Sequence, residues 1–160
     1  MHRHGMTLVQ LGNVALVVSV LSLFTPALFG HFDPGPAKRR QWIVRAVLAM
    51  AAVLTSMAFL PLVWVDVGGM VALAVLSGAG ILQYANVRTS YSAEMSGRAM
   101  SVFTMAMFLG VAIVQSLSGF AASWSQALGQ DAYAGVLVCV ASLLVLGALA
   151  FRVLPMARPN

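Results

Sequence analysis

Charged residues cut the chain into five long apolar runs: Thr7 to Phe29, Ala46 to Val65, Val67 to Val87, Ala99 to about Ala122, and Ala132 to Phe151. Each is about 20 residues or longer, the length a helix needs to cross ~30 Å of hydrocarbon. One such run fits a buried core helix. Five of them in 160 residues leave too little polar sequence to cover a water-soluble surface. The pattern predicts an all-α fold: an integral membrane bundle of five transmembrane helices in a single transmembrane domain.

The sharpest helix start lies at Tyr91 to Ala99, where a serine, both charge signs and a glycine abut the fourth run. Ser92 is placed to cap the helix by accepting a backbone N–H, and Glu94 then sits at the positive end of the helix dipole. Arg98 lies one turn further on as an i,i+4 partner for Glu94. Elsewhere the breaks are Gly30 to Pro36, Pro61, Asp66 with the Gly68-Gly69 pair, read as a tight turn, and Gln126 to Asp131.

Polar positions inside the runs are unevenly shared. The first run carries Gln10 and Asn13 on one helical face, then Ser19, Ser22, Thr25 and Pro26. The third carries Ser77-Gly78-Ala79-Gly80, whose small residues allow close helix approach, followed by Gln83, Tyr84 and Asn86. In the fourth, Ser101, Thr104, Phe108, Val111, Gln115 and Ser118 fall on one stripe. The second run offers only Thr55 and Ser56, and the fifth only Cys139 and Ser142. Amides facing lipid are costly, so the faces of the first, third and fourth helices are expected to meet protein or a wet cavity.

Composition agrees: 61% hydrophobic residues, a mean hydropathy of +0.92 and 8% charged residues, against roughly 25% in a soluble domain. A net charge of +5 suggests a nucleic-acid partner only until the positions are inspected. The basic residues stand at the ends of apolar runs and no basic segment is interleaved with aromatics, which excludes that partner class. Cys139 is the only cysteine, so no disulfide forms within the chain. His2 and His4, two residues apart, point to different sides of a helix and fit a solvated tail. The run after Arg3 is longer than the roughly 7 to 15 residues of a signal-peptide core. With no metal-ligand spacing, no paired carboxylates and no nucleophile–base grouping, the chain reads as a non-enzyme with no metal and no cofactor.

If the five spans alternate across the bilayer, Lys38, Arg39, Arg40, Arg45, Arg88, Arg98, Arg152 and Arg158 fall on one side and Arg3 on the other. The positive-inside rule then makes the C-terminus cytoplasmic and leaves the N-terminus outside.

Ser92 to Ala99, with its Glu-x-Ser-Gly-Arg-Ala core and the later Gln115-x-x-x-Gly119, resembles the turn between helices ten and eleven of bacterial major facilitator superfamily transporters. The segment Gly30-His31-Phe32-Asp33 followed by Ala37-Lys38-Arg39-Arg40 is similar to the family's Gly-x-x-x-Asp-Arg-x-Gly-Arg-Arg turn between helices eight and nine. It departs in the Gly-to-Asp spacing, in Pro34 after the aspartate and in Ala37 before the basic pair. The resemblance implies that the five spans correspond to helices eight to twelve, part of a C-terminal half, in a bacterial inner membrane. It also implies a small solute moved by alternating access, and a partner in the absent N-terminal half or another chain. By the same resemblance, helices eight, ten and eleven line the path while nine and twelve pack outside. Gln10, Asn13, Gln83, Tyr84, Asn86, Thr104 and Gln115 are then the candidates to line that path. Gly30, Asp33, Lys38, Arg39, Arg40, Glu94, Gly97 and Arg98 form the cytoplasmic turns that gate such carriers. The alternative is a non-transporting membrane piece, truncated or dependent on assembly.

Overall fold

The computed structural model describes residues 5–154, so His2, Arg3, His4 and Arg158 lie outside the described residues. Six helices follow one another: α1 (Leu8–His31), α2 (Pro36–Phe59), α3 (Val63–Ser77), α4 (Gly80–Ser90), α5 (Ala93–Ala127) and α6 (Ala132–Val153), with no strand among the described residues. Because α3 and α4 share one continuous apolar segment, the chain has five helical segments long and apolar enough to cross a membrane. The fold is all-α, as the spacing of charges predicts.

Four boundaries differ from those read off the sequence, for two physical reasons. Charges mark where a helix leaves hydrocarbon, not where it ends. Thus α2 begins at Pro36, ten residues before Ala46, and winds through Lys38, Arg39, Arg40 and Arg45. Pro36 suits the first helical position, since its missing N–H has no intrahelical partner there anyway. By the same logic α5 covers 35 residues, about 50 Å at 1.5 Å per residue, well beyond the hydrocarbon thickness. Glycine is the second source of error. Gly68 and Gly69 make no turn but lie inside α3, and the chain reverses instead at Leu60 to Leu62 around Pro61. Asp66 consequently sits in the first turn of α3, where its charge favours the helix start. The third span is broken at Gly78-Ala79 rather than continuous.

α2 packs along α6 and also meets α3 and α4; α5 lies mainly against α6 and touches α4, and α1 packs on α3 and α4. The core sits between α2 and α6 against α3: Ala51 and Leu54 of α2 and Ala141 of α6 are buried against Leu73 of α3 and Leu137, Val140 and Leu144 of α6.

Small residues decide how closely the helices approach, and Gly78 is the clearest case. A Cβ there would lie 2.6 Å from the Thr25 backbone carbon, and Thr25 Oγ1 donates to the Ala74 carbonyl at 3.3 Å. The Ser77–Gly80 segment therefore does what its composition predicts, seating α1 against the end of α3. Gly69 similarly leaves room for the Met57 thioether, and Gly135 for Ser125 of α5. By contrast α1 and α5 stay open: in their most apolar stretches 6% and 0% of residues are buried, against 33% in α2.

Gly78→Ala forces backbone apart and is expected to lower stability by about 1–3 kcal/mol. At Gly110, where an added Cβ meets nothing within 4 Å, alanine is expected to be neutral or stabilising by up to ~1 kcal/mol. Thermal unfolding of the two variants in detergent checks the difference.

Candidate functional site

The turn from α1 to α2 builds the most constrained polar site. Gly35 adopts a left-handed φ of 81° and its N–H donates to Asp33 Oδ1 at 3.1 Å, fixing the carboxylate just ahead of α2. Arg39, one turn in, meets that carboxylate with two N–H groups: Nε to Oδ1 at 3.1 Å and Nη2 to Oδ2 at 2.5 Å. Such a fork matches the planar guanidinium to both oxygens. The same side chain reaches the end of α4, where Nη1 donates to the Ala85 carbonyl at 3.1 Å and to Thr89 Oγ1 at 2.8 Å. Arg39 is only 5% exposed. Its hydrogen bond holds the Asp33 carboxyl below the ordinary carboxylate range, against the opposing effect of burial and with help from the Gly35 N–H and the arginine's charge.

Arg40 does for α6 what Arg39 does for α4. Its Nη2 donates to the carbonyls of Phe151 and, at 2.5 Å, Leu154, and its guanidinium lies 5.2 Å from the centre of the Phe151 ring. The first turns of α2 hold three cations and no acid, an unfavourable placement for the positive end of a helix dipole. Two of those cations are turned onto the carbonyl ends of α4 and α6, where the dipole is negative; the Ala85 carbonyl also accepts from the Thr89 hydroxyl at 2.8 Å. These bonds place the ends of α4 and α6 beside the start of α2, so Lys38, Arg39, Arg40, Arg45, Arg88, Arg98 and Arg152 gather toward one end of the bundle.

Of the residues read as gating turns, then, Asp33 and Arg39 are joined and Arg40 is their neighbour. Gly30, Lys38, Glu94, Gly97 and Arg98 are exposed. Ser92 occupies the N-cap position of α5 with no side-chain cap bond, and the expected Glu94–Arg98 pair is not formed among the described residues. Both side chains lie on an exposed first turn, where water competes for each charge and an ion pair gains little. The sequence reading missed Ala85, Thr89, Phe151 and Leu154. Their only signal was position, since each belongs to the last turns of a helix ending beside a basic cluster.

The seven candidates for a solute path do not converge. Gln10 closes a capping box at the start of α1: its Oε1 accepts from the Thr7 N–H at 2.9 Å, and Thr7 Oγ1 accepts from the Gln10 N–H at 3.3 Å. With Asn13 it lines a groove of about 520 Å³ beside the exposed Trp64, where α1 and α3 begin. Gln83 and Asn86 instead line a cavity between α2, α4, α5 and α6. Tyr84 sets its ring edge against Phe103, centroids 5.1 Å apart. Thr104 donates to its own helix at the Met100 carbonyl, 2.9 Å away, and Gln115 is exposed on α5. Among the described residues no group of three or more His, Cys, Asp or Glu is placed to hold a metal ion.

No family model, curated protein or solved structure matches the chain.

Asp33→Asn leaves the buried Arg39 cation without its counter-charge and is expected to destabilise the folded bundle by about 1–3 kcal/mol. Because the folded carboxyl titrates below its unfolded value of about 3.9, the pair stabilises fully above that range and is lost as pH falls through the lower folded value. Unfolding measured between pH 7 and pH 3 should therefore show an acid-side loss of stability in the parent chain that is reduced in Asp33→Asn.

Proposed function

We propose that the chain forms the C-terminal part of a secondary active transporter of the major facilitator type, moving a small solute by alternating access. One observation carries this reading: polar side chains of α1 and α5 are left open, while the plain apolar α2 is packed on α3, α4 and α6. A solute path needs polar faces that a second set of helices can meet. Asn13, Ser19 and Ser22 on α1 and Ser101 and Gln115 on α5 are uncovered by these five spans. Further helices, in the same polypeptide or in another chain, are required to face them.

On this reading the basic end lies in the cytoplasm of a bacterial cell and the start of α1 faces out. The Asp33–Arg39 fork then joins the cytoplasmic turn to the third span. A part of the carrier that rocks as a body needs such ties, because motion at one end must be transmitted to the path-lining helix. The solute stays open, since amides and small residues serve sugars, peptides and drugs alike. Ionisable groups that couple transport to an ion gradient belong to the opposing helices in this account, because no Asp, Glu, Lys, Arg or His lies at mid-depth in these spans.

Water access separates a transport path from a dry assembly interface. In native membranes, with Cys139→Ser as background, Phe108→Cys and Gln115→Cys on α5 are expected to react with a charged, membrane-impermeant methanethiosulfonate. Leu146→Cys on the exposed face of α6 is expected not to react. Silence at both α5 positions would overturn the transport reading and leave a non-transporting, assembly-dependent subunit.

A further inference from the structure

The cavity between α2, α4, α5 and α6 has a volume of about 310 Å³ and a wall that is mostly apolar, including Ile43, Val47, Phe103 and Leu144. Two polar groups interrupt it. Gln83 and Asn86 stand three residues apart on α4 and so project from one face, and both line the cavity. Neither side-chain amide hydrogen-bonds another described group, unlike Gln10, whose amide is used in its cap. Both residues are half-buried, so their amides are open to the cavity space and free to bond a molecule that enters it. No charged residue lines the space.

Gly147 is a second observation. It lies in the interior of α6, where glycine costs roughly 1 kcal/mol relative to alanine. No close approach explains it, since an added Cβ would meet no atom within 4 Å. Gly147 lines the cavity and is itself exposed, so its missing side chain leaves the wall open at that point.

We infer that this cavity binds a small neutral amphiphile: an apolar body lodged among the aliphatic side chains and Phe103, with an uncharged hydroxyl, carbonyl or amide end bonded by Gln83 and Asn86. Its volume is at the low end of the ~300–1,000 Å³ typical of ligand pockets, which suits a medium-length chain or single ring system and not a two-tailed phospholipid. The absence of lining charge favours an uncharged polar end. The site lies between α2, α4, α5 and α6, and stands whether or not the chain transports anything.

Photolabelling tests this directly. The full chain in nanodiscs is irradiated with an octanol bearing a diazirine, and adducts are mapped by mass spectrometry. The expected result is labelling concentrated on cavity residues such as Phe103 and Leu144, saturating with probe and displaced by plain octanol. Gly147→Leu, which fills the space, and the double variant Gln83→Leu/Asn86→Leu, which removes the polar partners, should each lower that labelling about tenfold or more. All three changes favour helix, and retained circular dichroism checks that each variant folds. Gly110→Leu, away from the cavity, should label like the parent. The proposal is overturned by adducts that rise without saturation across lipid-facing residues, or by cavity labelling unchanged in both folded variants. Water alone in the cavity gives the first pattern.

Discussion

A single buried cation ties three separate segments of this chain together. Arg39 donates to Asp33 in the α1–α2 turn and to Ala85 and Thr89 at the end of α4. In so apolar a sequence such a group is expensive unless its donors are met. The acceptors come from a turn carboxylate and from the last turns of α4, where the Ala85 carbonyl and the Thr89 hydroxyl lie at the negative end of the helix dipole. Meeting these donors fixes which helix end lies beside the α1–α2 turn. Arg40 repeats the arrangement at the end of α6, so the basic pair holds the ends of α4 and α6 beside the start of α2.

Away from that end, contact is made by small residues and apolar packing. In a bilayer the hydrophobic effect does not drive helices together, and close approach at glycine and alanine takes its place. Gly78 against Thr25, Gly69 against Met57 and Gly135 against Ser125 are the points where this operates. What remains uncovered is as informative as what is packed. The apolar α2 is packed on α3, α4 and α6, whereas α1 and α5 present amides and hydroxyls outward. The proposal of a transporter part follows from those uncovered polar faces more than from any single motif.

The five crossings and the small-residue seat at Ser77–Gly80 were legible in the sequence because each depends on a local property: run length, charge position or side-chain size. Helix ends were less legible. Lys38 to Arg45 look like a loop when charges are treated as breaks, yet the helix winds through them once it has left hydrocarbon. Gly68-Gly69 looks like a turn, yet glycine inside a membrane helix more readily serves packing. The polar site was half legible. Asp33 and the basic pair stood out, but Ala85 and Leu154 act through backbone carbonyls, which no side-chain pattern reports. Gln10 looked like a path residue because nothing in its spacing distinguishes an amide aimed at a solute from one that closes a cap with Thr7.

Hydrogen exchange at the helix ends addresses the arginine pair most directly. With the chain folded in nanodiscs, Arg39→Gln should speed amide exchange selectively in the last turn of α4, residues 86–90, and Arg40→Gln selectively in the last turn of α6, residues 150–154. Unchanged protection in both turns, or the same pattern from both variants, would contradict the claim that each arginine holds its own helix end.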